Sequence, residues 1–131
     1  MRVLEQPARS LGGFLEDRTS LLTRLVRYEL PLGDTVALLR SFGWNSEEVL
    51  VVLTVGDVVQ LLTRYVAGEL SAKQVEHWAE LLEMRSDLGY ETDSAVKLRA
   101  VVSGLANPEE HEVITPRLAI RICRSLTEAA S

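Results

Sequence analysis

Four carboxylates, Glu76, Glu80, Glu83 and Asp87, follow one another at spacings of four, three and four. On a helix that spacing lines up one face. Paired carboxylates do general acid–base work when burial or a neighbouring like charge shifts a pKa. A face set opposite Trp78 and Leu82 is turned to water instead, where carboxylates stay ordinary anions. The chemistry left to such a stripe is electrostatic: negative potential speeds encounter with a positive surface and contributes specificity. Tyr90, in the acidic stretch DLGYE, adds an aromatic side chain of the kind that anchors interfaces. Glu76, Glu80, Glu83, Asp87 and Tyr90 are therefore the candidate partner-binding residues. A plain solvated face is the competing reading.

A second stripe complicates the first. Arg117, Arg121 and Arg124 repeat the four, three spacing with the opposite sign. They offer phosphate contacts on a helix begun by Thr115-Pro116, or neutralisation of the acidic stripe within the chain or across a dimer. Other chemistry is thin. His77 and Glu80 form an i, i+3 pair that lacks the further ligands a metal site needs, and His111 lies in the polar run EEHE. Cys123 is the single cysteine, which excludes an internal disulfide, and its apolar surroundings make it a small core residue. No phosphate-binding glycine loop, nucleophile elbow, zinc-protease or calcium-loop motif occurs. The reading is of a protein without catalytic residues, cofactor or metal.

Charge sharpens the choice of partner. The chain of 131 residues carries a net charge of −5, which opposes general nucleic-acid binding. Residues 46–93 hold three basic and ten acidic groups, whereas residues 1–45 hold six and five, and residues 94–131 five and four. The negative charge is thus entirely central. No apolar run reaches membrane-spanning length and the N-terminal stretch lacks the apolar core of a secretory signal, so the expectation is a cytoplasmic protein.

The elements that must position these residues are mostly helical. Leu21, Leu22, Leu25 and Val26 set a helix ended by Pro31, and a short one follows from about Asp34 to Phe42. Val49–Val55 is β-branched and reads as a short extended segment, with no second strand evident; a capping box of Asn45 and Glu48 would instead make it helical. Thr54 and Asp57 cap a helix over about Gly56–Ala67, and Ser71 and Gln74 box the start of another over about Ala72–Arg85. DLGYE reads as a turn, and Thr92 or Asp93 caps a helix to about Ala106. Thr115-Pro116 starts the last helix, to about Ala129. The expected fold is all-α, one domain of about six helices over residues 1–131, with residues 1–10 a flexible N-terminal segment. The segments LLTRLVRYEL (21–30) and LLTRYVAGEL (61–70) match at seven positions at an offset of 40. Two similar helix hairpins and an old duplication both account for that echo.

Over roughly residues 47–126, the run LTRYVAGELSAKQVEHWAELLEMRSDLGYE with the later LANPEE and ITPRLAIRIC resembles small acidic all-helical bacterial proteins. Some of these look like immunity proteins of toxin–immunity systems. The resemblance implies a cytosolic protein without catalysis that binds a basic toxin domain, often a nuclease, and blocks it. It supplies no set of functional residues. The alternative is a bacterial regulator or adaptor working through helical contacts, alone or as a homodimer.

Overall fold

The computed structural model describes residues 18–29, 32–40 and 49–130. The expectations for residues 1–10, for a helix end near Phe42, and for a box of Asn45 and Glu48 lie outside these. Among the described residues there are six α-helices and two three-residue strands: α1 (Arg18–Arg27), α2 (Leu32–Arg40), β1 (Val51–Leu53), α3 (Val55–Val66), α4 (Ala72–Glu83), β2 (Leu88–Tyr90), α5 (Ala95–Ala106) and α6 (Pro116–Ala130). The fold is all-α, as the periodicity predicts.

The helix starts follow the cap chemistry. Thr54 and Asp57 satisfy each other's backbone amides at the head of α3, and Ser71 and Gln74 do the same for α4. Thr115 Oγ1 accepts from the Leu118 amide at the start of α6. The start of α5 differs from expectation. A 3₁₀ turn, Thr92–Ser94, leads into it and no side chain caps it.

The helices enclose a leucine-rich core around Trp78, which is fully buried. Helix α4 packs mainly on α5, and α3 on α6, while α1 lies on α2 and also touches β1, α3 and α4. The Trp78 indole Nε1–H donates to the carbonyls of Leu25 and Val26 at 3.1 Å each. That buried donor ties α4 to the end of α1.

Residues 51–53 are extended and have a partner after all. DLGYE is not a simple turn: Leu88–Tyr90 pairs in parallel with Val51–Leu53, with Val51 opposite Leu88 and Leu53 opposite Tyr90. Parallel strands need a long crossover, which α3 and α4 supply. The partner therefore lies over thirty residues away, in a run containing a glycine, where local propensity gives no strand signal. A Cβ at Gly89 would sit 2.8 Å from Val49 Cγ1, so any larger residue there would displace the Val49 side chain.

Candidate functional site

The five candidate residues do not form one face. Glu76, Glu80 and Glu83 lie on α4, which ends at Glu83 rather than continuing to Arg85. Glu80 and Glu83 are exposed and Glu76 is half-buried. Their neighbours are light: Lys73 Nζ is 3.7 Å from Glu76, His77 Nδ1 is 3.7 Å from Glu80, and the Asn107 amide donates to Glu83 at 3.4 Å.

Asp87 leaves the set. It sits past the end of α4 with its side chain fully buried, held by Arg85 through two bonds of 2.9 Å and by Arg18 at 2.7 Å. Burial alone raises its carboxyl pKa, but the hydrogen bonds and charges of Arg85 and Arg18 outweigh that and hold it below the ordinary value. The group anchors α1 to the start of β2. Its backbone carbonyl also accepts from the Leu50 amide at 2.8 Å. A helical period drawn through Asp87 therefore runs past the last helical residue.

Tyr90 is half-buried on β2 rather than exposed in a turn, with the Arg99 guanidinium 4.6 Å from its ring centroid. Burial, opposed by the Arg99 charge, pushes its phenol above the ordinary value. It is neutral at physiological pH and stacked within the chain.

Among the described residues, three other central acids have partners within the chain. Asp57 closes the α3 capping box, and Glu91 Oε1 accepts from the Val55 amide at 2.9 Å, placing an anion at the positive end of α3. Glu69 lies 3.4 Å from Arg64. What remains facing water on α4 is the pair Glu80 and Glu83, with Glu76 one turn earlier. Beside Glu76, a cleft of about 400 Å³ opens between the start of α4 and the loop before α6. Lys73, Glu76, Pro108, Glu109, Val113 and Ile114 line it.

The arginine stripe does not neutralise this face within the chain. Helix α6 packs on α3, not α4, and Arg121 pairs with Glu112 in the preceding loop. Cys123 is half-buried, and burial raises its thiol pKa, so it is not an activated nucleophile. Among the described residues, no three His, Cys, Asp or Glu side chains gather as a metal site would require. Nor is any helix long and apolar enough to cross a membrane. Comparison with protein-family models, curated proteins and solved structures finds no match for this chain.

Proposed function

We propose that this chain is a non-catalytic protein-binding module, an immunity-type inhibitor that neutralises a basic toxin domain in the cytoplasm through the exposed face of α4. The observation that carries the reading is the position of Glu80 and Glu83. Both stand in the last turn of α4, a turn without a basic residue. Anions at the negative end of a helix cost about 0.3–1 kcal/mol each, and carboxylates one turn apart repel by a few tenths more. A face that costs the free protein stability is supported by what it meets. The cleft beside Glu76 extends it, joining carboxylates of Glu76 and Glu109 to the apolar, exposed Val113. Lys73 already lies 3.7 Å from Glu76 there, which leaves Glu109 and Val113 to receive the cationic head and aliphatic stem of a partner's lysine or arginine.

The test is affinity capture from native lysate with two baits, wild type and a Glu76→Lys/Glu80→Lys/Glu83→Lys variant. Circular dichroism first establishes that the variant folds. The reading expects one basic protein, bound one-to-one by wild type, lost by the reversed bait, and with its toxic activity abolished in the complex. A partner retained equally by both baits, or no partner at all, overturns it.

A further inference from the structure

A second surface, on other helices and of the opposite charge, is built as a groove. Two cavities of about 230 and 360 Å³ lie between α5 and α6 and share Ala100, Val101 and Ile122 in their walls. They form one channel. Its cause is a mismatch in side-chain size. On α5, the residues facing it at successive turns are Lys97, Ala100 and Gly104. A Cβ on Gly104 would meet nothing nearer than the His111 ring at 4.0 Å. On α6, the facing residues are Leu118, Ile122 and Leu126. Val101 and Leu105 also line the α5 wall, but Ala100 and Gly104 leave space that Leu118 and Ile122 opposite do not fill, so apolar surface remains between the helices.

The rim has a definite sign. Lys97 stands at one end, its ammonium donating to the Ser125 carbonyl and hydroxyl oxygens at 3.3 and 3.4 Å. Arg121 lines the α6 edge, with Arg117 one turn before and Arg124 one turn after on the same face. All three arginines are exposed. Glu112, paired with Arg121, is the one carboxylate among the lining residues. Among the described residues, Lys97, Arg117 and Arg124 make no ion pair, so cations predominate beside this apolar floor.

We propose that this groove is the docking site for an acidic amphipathic helix of a partner protein. Leu118 to Leu126 spans eight residues, about 12 Å of helix axis. That length receives two turns of a ligand helix with apolar residues at i, i+3 or i+4, and i+7. Carboxylates flanking those anchors meet Lys97, Arg117 and Arg124. A second copy of this chain does not supply such a ligand from its own acidic helix. The apolar side of α4 (Val75, Trp78, Ala79 and Leu82) is already buried in the core. The proposal shares no residue with the α4 face and stands whether or not the inhibitor reading does.

The test is selection of a displayed library of random sixteen-residue peptides against the full chain. Selected peptides are then measured by fluorescence anisotropy against wild type, Ala100→Phe and an Arg117→Glu/Arg121→Glu/Arg124→Glu variant. Ala100 is an exposed helical position, so a phenylalanine there fills the channel without entering the core. The expected result is a consensus with Asp or Glu flanking helically spaced apolar residues. Its affinity should fall at least tenfold in each variant and weaken with salt. A basic or featureless consensus overturns the proposal, as does an acidic one indifferent to Ala100→Phe. So does light scattering that finds a wild-type dimer dissolved by Ala100→Phe, which would make a second copy the occupant.

Discussion

Helices α1 and α3 end in the same way by different means. The Glu29 amide donates to Arg24 and the Tyr28 amide to Leu25, at 2.9 and 3.0 Å; forty residues later Glu69 donates to Arg64 and Gly68 to Tyr65 at the same two distances. Both turns require a left-handed residue, Tyr28 at φ 53° and Gly68 at φ 88°. Gly68 adopts it freely in solvent. Tyr28 adopts it at a cost of about 1–2 kcal/mol, with its side chain buried and the Arg64 guanidinium 5.8 Å from its ring centroid. The remaining carbonyls of α1 are met from the second hairpin. Trp78 donates to Leu25 and Val26, and Arg64 to Arg27 and Tyr28. The echo in sequence is therefore an echo of backbone geometry, with α2 starting at Leu32 and α4 at Ala72. The second hairpin is the one that caps the first, and the strained residue sits where that capping takes place. At the same offset, exposed Leu38 is the counterpart of buried Trp78: the hairpins share a path but not a burial pattern.

Five variants probe that asymmetry and the charges around it. Trp78→Ala should cost about 3–5 kcal/mol in urea unfolding, a large share of the 5–15 kcal/mol total typical of a domain. A loss below about 1 kcal/mol would mean that the second hairpin does not hold the end of α1. Asp87→Asn should cost about 3 kcal/mol, because it takes the carboxylate from a buried arginine. It also alters the acid limb of stability. A carboxyl with a depressed folded pKa stabilises fully above its unfolded value and loses that contribution as pH falls through the folded one. Wild type should therefore weaken towards about pH 3 more steeply than Asp87→Asn. Tyr28→Gly weighs strain against burial. Relief of about 1–2 kcal/mol against loss of about 3–5 kcal/mol of buried aromatic packing predicts a net loss of about 2 kcal/mol. A stabilised variant would show that strain dominates there. Gly68→Ala has no ring to consider and should cost about 1 kcal/mol, seen as a lower melting temperature. Glu80→Gln/Glu83→Gln should raise stability by about 0.5 kcal/mol while weakening partner capture. A destabilised double variant would remove the trade-off on which the α4 proposal rests.

Much of this was legible locally. The periodicity of α1, α3 and α4, the reciprocal caps at Thr54–Asp57 and Ser71–Gln74, and the Thr115-Pro116 start all depend on residues a few positions apart. The acidic stripe was half legible for the same reason. Spacing alone places Glu76, Glu80 and Glu83 on one helix, but extending the pattern to Asp87 assumes a helix that stops at Glu83. An Arg85 two residues before an Asp was the available sign of a local ion pair. The groove between α5 and α6 had a weaker sign, the small residues Ala100 and Gly104 one turn apart. What faces them comes from another helix.

The sequence by itself determined most of the helices and the caps of α3, α4 and α6, because hydrogen bonds within a helix and its first and last turns close over three to five residues. Only the tertiary structure decided which charges are spent inside and which remain outside. Asp87 meets Arg18 across 69 positions, β1 meets β2 beyond two helices, and Arg64 and Trp78 reach α1 from across the second hairpin. A carboxylate's environment is set by what folds against it, and that information is carried by the packing of distant segments rather than by spacing along the chain.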